Sequence, residues 1–501
     1  MDPMSPSRGR GVAARLSDVR EVWALAWPTV LTMTSYTLMQ FVDSLMVAQI
    51  GMVELAAQGN GGVWSWAPMS FLVGVITLVN TYVSQSLGAK RLHDAASYAW
   101  GGLWIAVASW LLLLLPLALV GLPALFAAMD HEPRVQELET QYAGILVGAG
   151  VVTLAGKAMS NFFFGIHRPK VVTVAAILGN VVNVVGNFIL IYGERGLPSL
   201  GLPGIPGTQA YGVAGAAIAT VIGTFVEFLV PFVVFLGPKL HAELGTRSAW
   251  RPQWGMLGGL VRTGVPNGIQ FSNEVICWAL FMSTLVGRFG TDHLAAGWSV
   301  LRFMHMSFMP AVGFSVATAS LVGRSIGAGR PDDAVRQTHA ALTVSLAYMT
   351  LWGIVMFVWR HDMVGIFADS GDVPAEQVAR IVAIGGTLMI CAAVFQTFDA
   401  LGIIYTGALR GAGDTLVPGI ATVTLSWGMI VGGGLLLVGW FPQWESTGPW
   451  LAATAYIVVY GLFMAWRFES GRWRSIRLLE RPPEPAPGLE PGGSGSVGSG
   501  S

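Results

Sequence analysis

The stretch Gly88-Ala89-Lys90-Arg91 returns 239 residues later as Gly327-Ala328-Gly329-Arg330, and the flanking segments match in the same register. Upstream, Leu55-Ala56-Ala57 corresponds to Leu294-Ala295-Ala296. Further matches at this offset pair Gly51 with Gly290, Val73-Gly74 with Val312-Gly313, Asp94 with Asp333 and Ala95 with Ala334. A duplication of this length predicts two structural halves of one design. In a membrane-embedded chain it is typical of transporters, more than of channels or intramembrane enzymes.

A second pair of similar tetrads extends the duplication. Gly165-Ile166-His167-Arg168 and Gly407-Ala408-Leu409-Arg410 each stand shortly before an apolar run. Pro28 and Pro266 also correspond, with one residue of slippage. The repeat therefore extends over most of the chain rather than over one loop.

The composition places the chain in a membrane. Of its 501 residues, 53% are hydrophobic and 11% are charged, whereas globular proteins contain about 25% charged residues. Apolar runs of spanning length, about 20 residues or more, recur along the chain. We predict twelve spans: 22–49, 60–86, 98–122, 138–164, 171–192, 213–237, 258–287, 296–322, 338–359, 379–406, 416–440 and 449–467. The expected fold class is an all-α integral membrane protein with two pseudo-symmetric six-helix lobes.

The division into domains follows from these spans. We predict an N-terminal cytoplasmic segment (1–20), a first lobe (21–237), a cytoplasmic linker (238–257), a second lobe (258–467) and a flexible cytoplasmic tail (468–501). Residues 482–501 are rich in Pro, Gly and Ser, as in flexible linkers. The two cysteines, Cys277 and Cys391, lie mid-span, so we expect neither a disulfide nor a metal site.

The orientation follows from the distribution of Lys and Arg. With a cytoplasmic N-terminus, most basic residues fall in inside loops and tails, as the positive-inside rule requires. Those in outside loops are Arg134, Arg195, Arg288, Arg360 and Arg380. We therefore expect a multi-pass protein of the inner (plasma) membrane with both termini in the cytoplasm. The net charge is zero, so the chain lacks the excess of basic residues that is typical of nucleic-acid-binding proteins.

Carboxylates inside membrane spans cost about 2.5–3.5 kcal/mol each on insertion scales, so each one needs a reason. Asp43 lies about two turns from the outer end of the first span. In the fifth span, Asn180, Asn183 and Asn187 share one helical face, and the last two lie at the depth of Asp43. One carboxylate with convergent amide oxygens suits Na⁺ or a proton. The alternative is hydrogen bonding that holds helices together.

The second half has its own acids. Glu274 follows Gln270 by four residues and Asn273 by one, and Asp399 follows Gln396 by three. Each acid thus shares a helical face with an amide near the membrane midplane. Such groups suit proton exchange and attract cationic substrates.

Lys157 in the fourth span and Glu227 in the sixth lie at similar depth. We predict that they form a structural ion pair within the first half, and the alternative is a direct functional role.

Several of these motifs together resemble the multidrug and toxic compound extrusion (MATE) transporters, in the NorM-like branch. The resemblance covers nearly all of residues 20–470. It rests on Gln40-Phe41-Val42-Asp43 after Pro28, the two Gly-Ala-(Lys/Gly)-Arg loops, Asn183-x-x-x-Asn187, and the run from Phe395-Gln396 through Asp399 to Gly411-Ala412-Gly413-Asp414. The segment Trp298 to His305 departs from the family pattern, because it carries Arg302 where uncharged residues are usual.

The resemblance implies a two-lobe exporter of organic cations driven by inward Na⁺ or H⁺. Asp43, Asn183 and Asn187 would form the first cation site, and Glu274 with Asp399 the second. Pro28 would serve as a hinge, since proline removes a backbone donor and can kink a helix. We further predict five amides at the substrate cavity: Gln40, Asn180, Gln270, Asn273 and Gln396.

Two other classes remain as alternatives. A lipid-linked oligosaccharide flippase of the same superfamily needs cationic residues for pyrophosphate, and the spans hold only Lys157 and Arg302. A membrane enzyme needs a catalytic constellation, and neither a metalloprotease motif nor a nucleotide-binding motif is present. We expect a monomer without enzymatic activity, cofactor or ATPase subunit, and the sequence does not choose between Na⁺ and H⁺.

Overall fold

The computed structural model describes residues 7–129, 131–197, 202–368 and 374–479. Within these ranges the chain is helical and contains no strand beyond a single antiparallel bridge between Leu197 and Leu202. Residues 1–6 and 480–501, which include most of the expected cytoplasmic tail, lie outside the described residues.

Apolar runs of this length become helices because each backbone N–H and C=O must find its partner within its own segment in lipid. The first half contains α1 (Ser7–Ala48), α2 (Met52–Ile76), α3 (Leu78–Gly88), α4 (Leu92–Ser109), α5 (Leu122–Ala127), α6 (Pro133–Gly148), α7 (Gly150–Gly165), α8 (Pro169–Asn187) and α9 (Gly212–Phe235). Then follow α10 (Pro238–Leu244), α11 (Trp254–Leu280), α12 (Thr291–Gly327), α13 (Pro331–Val358), α14 (Arg360–Ala368), α15 (Ala375–Ala412), α16 (Leu416–Leu425), α17 (Gly434–Trp440) and α18 (Thr447–Glu469).

The number of spans differs from the prediction in two places. Ten described helical stretches are long and apolar enough to cross a membrane, and α6 with α7 makes an eleventh if this pair, bent by 44°, is one span. The prediction had one continuous span there, at 138–164. Helix α1 is not among them despite its 42 residues, since Thr, Ser and Tyr dilute its apolar run. Twelve spans therefore stays a prediction.

Four helices end in the same turn, which gives the duplication a structural form. The N–H of Arg91, Arg168, Arg330 and Asp414 donates to the carbonyl five residues earlier at 2.8–2.9 Å. The preceding residues, in chain order Lys90, His167, Gly329 and Gly413, all have positive φ, as in a Schellman cap.

These turns correct the alignment of the second pair of tetrads. The sequence pairs 165–168 with 407–410, but the turn that ends at Arg168 corresponds to the one that ends at Asp414. The similarity of 165–168 to 407–410 is therefore displaced by one helical turn from the structural correspondence. The equivalent residues carry opposite charges: Arg168 pairs with Glu243 and Asp414 with Arg467, each at 2.7 Å.

The two halves pack closely at the end of the bundle that carries these four turns, which we call the closed end. There α2 meets α11 through glycines: a Cβ on Gly74 would lie 2.7 Å from the Cα of Gly268. Helix α1 meets α12 in the same way, where a Cβ on Gly313 would lie 2.8 Å from the Cα of Val30. Only residues without a side chain allow backbones to approach this closely.

Polar side chains of α3 fasten the closed end. Asn80, Thr81 and Gln85 donate to the carbonyls of Val316, Arg410 and Gly411 at 3.0–3.3 Å. Among the described residues, no side-chain hydrogen bond joins the two halves at the level of Asp43 or Glu274. Under the predicted topology the two halves are in contact on the cytoplasmic side and apart on the outer side.

Candidate functional site

Asp43 meets the amides of α8 where α1 and α8 pack together. Asn187 Nδ2 donates to Asp43 Oδ1 at 2.5 Å and lies 3.4 Å from Asn183 Oδ1. Asp43 is 5% exposed, and both asparagines are fully buried. The structure therefore brings together the three residues predicted for the first cation site, because Asn183 and Asn187 stand one turn apart on one face of α8.

Thr220 on α9 completes this site and was not predicted. Its hydroxyl lies 3.4 Å from both Asp43 Oδ2 and Asn183 Nδ2, and its one hydrogen is shared between Asp43 and the Ala216 carbonyl, which lies at 2.9 Å. The signal was present in the sequence, since Thr220, Thr224 and Glu227 repeat at helical spacing in an apolar span.

The Asn187 Oδ1 atom is buried without a hydrogen-bond partner. A carboxylate beside hydroxyl and amide oxygens has the hard donors that Na⁺ prefers.

Glu274 on α11 and Asp399 on α15 lie near enough to interact electrostatically. Tyr456 and Tyr460 of α18 lie beside the same pair. Glu274 is exposed and Asp399 partly exposed, although both lie within spans. In the described chain neither carboxylate has a side-chain hydrogen bond. Carboxylates left open in this way can attract a cation, since no internal donor compensates their charge.

Three of the amides predicted at the substrate cavity make hydrogen bonds within the second half, and their role in binding substrate stays a prediction. Gln270 donates to Tyr460 Oη at 3.0 Å, and Asn273 donates to Ser426 Oγ at 3.0 Å. Gln396 accepts from Ser307 Oγ at 3.1 Å. All three are buried. A buried amide in a span finds a partner on a neighbouring helix, and that demand fixes where these side chains point.

The other two predicted amides lie in the first half. Gln40 is exposed on α1, which suits a residue facing a cavity. Asn180 is partly buried and donates to the carbonyl of Ser35 at 3.0 Å as well as to the Ser35 hydroxyl.

Pro28 does not interrupt α1, which continues from Ser7 to Ala48. The carbonyl of Pro28 accepts hydrogen bonds from Thr32 and Thr173, each at 2.9 Å. Thr173 belongs to α8, so α8 is attached to α1 at the proline. The role of Pro28 as a hinge stays a prediction.

Lys157 and Glu227 do not form the direct ion pair that the sequence predicts. In the described residues no carboxylate lies within 4.0 Å of the Lys157 ammonium. Tyr36 of α1 lies between the two: its ring is 3.9 Å from Lys157 Nζ, and its hydroxyl donates to Glu227 Oε2 at 2.8 Å. The spans place the charges at one depth, but the side chain of a third helix separates them.

The described residues contain no group of three or more His, Cys, Asp and Glu side chains able to hold a metal ion. The Asp43 site has a different composition, with one carboxylate and neutral oxygens.

The model of the MatE family matches residues 28–189 and 272–432, one segment in each half of the duplication. The chain belongs to the MatE family. A multidrug resistance protein NorM of Burkholderia vietnamiensis is 31% identical over 89% of this chain and 92% of its own. A probable multidrug resistance protein NorM of Mesorhizobium japonicum is 28% identical over 90% and 93%. The predicted resemblance to the NorM-like branch is confirmed.

The MatE fold is confirmed by solved structures. The crystal structure of MATE in complex with MaL6 superimposes with a TM-score of 0.80, covering 92% of this chain and 98% of its own at 19% identity. The chain is thus a multi-pass membrane transporter, and its family is one of transporters rather than enzymes.

Proposed function

We propose that this MatE transporter is a secondary active antiporter that exports organic cations and other drug-like amphiphiles in exchange for Na⁺ or H⁺. The curated relatives are named multidrug resistance proteins, which supports small-molecule efflux. The observation that carries the coupling is the buried Asp43 carboxylate, surrounded by Asn187, Thr220 and Asn183.

Asp43 is the proposed site of the coupling ion. Its two oxygens accept hydrogen bonds from two different helices, so a bound ion changes the contacts of α1 with α8 and α9 together. Na⁺ would use Asp43 with the free Asn187 Oδ1 atom, and a proton would convert the acceptor Oδ2 into a donor toward Thr220. Either event alters the packing of α1, which also contacts the second half.

Glu274 and Asp399 are proposed to receive the organic cation. Both are accessible within a span, and two neighbouring carboxylates attract positive charge. Neutralising them with the coupling ion removes this attraction and releases the cation. An ion that binds one of the inward-facing and outward-facing states more tightly shifts the equilibrium between them. The size of the shift is set by the difference between its two affinities.

The packing of the two halves supports alternating access. The closed end has close glycine contacts and hydrogen bonds, and separation there would open the opposite side of the membrane. We propose a monomer in the inner membrane with twelve spans and cytoplasmic termini. Nothing in the site favours a flippase, since Arg302 lies over the Phe367 ring and Lys157 over the Tyr36 ring.

The test is export of ethidium from proteoliposomes under a Na⁺ gradient and a pH gradient imposed separately. The variants are Asp43→Asn and Asp399→Asn, and Glu137→Gln, an exposed acid in an outer segment, is the control. We expect one gradient to drive export, both Asp43→Asn and Asp399→Asn to abolish it, and Glu137→Gln to retain it. Export that survives both substitutions contradicts the proposal, as does the lack of export under either gradient.

A further inference from the structure

Lys157 is a cation in the middle of α7 that this exchange scheme does not use. Its Nζ atom lies over the face of the Tyr36 ring, 3.9 Å from the ring centroid. A cation over an aromatic face within about 6 Å is attracted by the ring quadrupole. The ammonium is therefore held mainly by a ring and by the more distant charge of Glu227.

Glu227 is built into the same cluster. It accepts the hydrogen bond from the Tyr36 hydroxyl at 2.8 Å. On the facing helix α8, a Cβ on Gly179 would lie 2.5 Å from Glu227 Cγ, so the carboxylate fits only because position 179 lacks a side chain. Three helices thus position one ring and one carboxylate for a single positive charge.

A hydrogen-bond acceptor is left over beside this cluster. Asn180 follows Gly179 on α8, and its Oδ1 atom is buried without a partner. Its amide nitrogen already donates to Ser35, the neighbour of Tyr36. An unused acceptor one residue along α8 from the Gly179–Glu227 contact suits a ligand that carries N–H groups and a positive charge.

The cluster is distinct from the Asp43 site. Tyr36 and Asp43 are seven residues apart on one face of α1, which puts the cluster two turns nearer the closed end. Lys157, Tyr36 and Glu227 are each partly exposed, whereas Asp43 is 5% exposed. The cluster therefore has more accessible side-chain surface than the ion site.

We propose that Tyr36, Glu227 and Asn180 form an organic-cation subsite in the first half, which the Lys157 ammonium occupies as a tethered competitor. The inference rests on the proposed function and adds a location and a ligand class: planar or alkylated ammonium cations. An incoming cation displaces Lys157 from the ring, because two positive charges repel and only one can lie on this face. When the ligand leaves, Lys157 returns and excludes other cations.

The test is equilibrium binding of ethidium to the purified full-length protein, measured by fluorescence polarisation with no ion gradient. Lys157→Met keeps the length of the side chain and removes the competing charge. We expect it to tighten ethidium binding about tenfold, the size of a lost cation–π competition. Lys157→Arg keeps a cation that stacks on the ring, so its affinity should stay at or below that of the wild type.

Two further variants separate the subsite from an effect on folding. Tyr36→Leu in the Lys157→Met background removes the ring and should return the affinity to the wild-type value or below. Lys170→Met removes an exposed charge from the same half and should change nothing. Binding by the wild type that Lys157→Met leaves unchanged or weakens overturns the subsite and leaves the proposed export intact. No ethidium binding by any of these proteins overturns the proposed export of organic cations together with the subsite.

Discussion

At the scale of single residues, the proposed ion site at Asp43 includes a threonine. Among the side-chain hydrogen bonds of the described chain, the one that joins Asp43 to α9 comes from Thr220, which also binds Asn183. The hydroxyl accepts from the Asn183 amide and shares its one hydrogen between the Asp43 carboxylate and the Ala216 carbonyl. Thr220 therefore links the ion-binding oxygens of α1 and α8 to a third helix.

Replacing Thr220 with Val keeps the shape and removes the hydroxyl. We expect the apparent affinity for the coupling ion to fall about tenfold, since a hydrogen bond to a charged group contributes about 1.5–3 kcal/mol. Export rate against Na⁺ or H⁺ concentration measures this affinity. The control is Thr224→Val, one turn further on, whose hydroxyl donates to the Thr220 carbonyl at 2.8 Å. An equal loss in both variants would contradict a specific role of Thr220.

We expect His167 to make the stability of the closed end depend on pH. It lies in the turn between α7 and α8, where Arg324 Nη1 donates to its Nδ1 atom at 3.1 Å and its Nε2 atom donates to the Ser320 carbonyl at 3.3 Å. Burial, and then the charge of Arg324, lowers the pKa of His167 from 6.5 to about 4. Arg324 itself lies 3.7 Å from Glu21.

The direction of the pH dependence follows from the lowered pKa of His167. A lowered pKa means that the closed end is fully stabilised above pH 6.5 and loses stability as the pH falls toward 4. Acidification should therefore raise the rate at which a thiol reagent reaches a cysteine placed at Ala319, which packs against Gly411. His167→Asn should flatten this pH dependence, and His93→Asn, an exposed histidine at the same end, should not. An unchanged profile in His167→Asn would rule out this histidine as the cause.

At the scale of helices, the closed end depends on backbone contact between α2 and α11. Gly74 and Gly268 touch, and Asn267 donates to the Gly74 carbonyl at 2.5 Å. Gly268 lies at the middle of α11 and Gly74 two residues before the end of α2, and a side chain at either position would hold the axes apart. In the proposed alternating access, the same contact separates when the transporter opens toward the cytoplasm.

Substituting Gly74 by Val should disfavour the closed end. The new side chain meets the backbone of α11, which cannot rotate away, and overpacking of this kind costs about 1–3 kcal/mol. We expect spin-label distances across the closed end to lengthen and export to fall about tenfold. Gly59→Val is the control, because no atom lies within 4 Å of a Cβ at that position of α2. Unchanged distances in Gly74→Val would show that this contact does not set the state.

At the scale of the whole molecule, the number of spans fixes where the termini lie. An even number puts both on one side of the membrane, and eleven spans would separate them. In a background without Cys277 and Cys391, both of which are buried, we expect a membrane-impermeant maleimide to label Arg134→Cys in intact cells. Ser475→Cys should react only after lysis, because basic residues keep the C-terminal segment in the cytoplasm. Labelling of Ser475→Cys in intact cells would contradict twelve spans with a cytoplasmic N-terminus.

The duplication also acts at this scale. The same capped turn ends α3, α7, α12 and α15, so each half presents two turns to the closed end. Within this symmetry both halves supply donors, since Asn80, Thr81 and Gln85 belong to α3, and Ser320 and Arg324 belong to α12. Duplication explains the shape of the interface, and later divergence explains which side chains close it.

The sequence by itself determined the membrane environment, the two-fold repeat, the MatE family and the residues of the Asp43 site. Hydropathy and helical spacing are local properties, so a single chain displays them directly. The tertiary structure decided what depends on distance between helices: that Thr220 joins Asp43, that Tyr36 separates Lys157 from Glu227, and that Gln270, Asn273 and Gln396 hold helices together. The sequence sets the depth of each side chain, and only packing decides which neighbouring helix it faces.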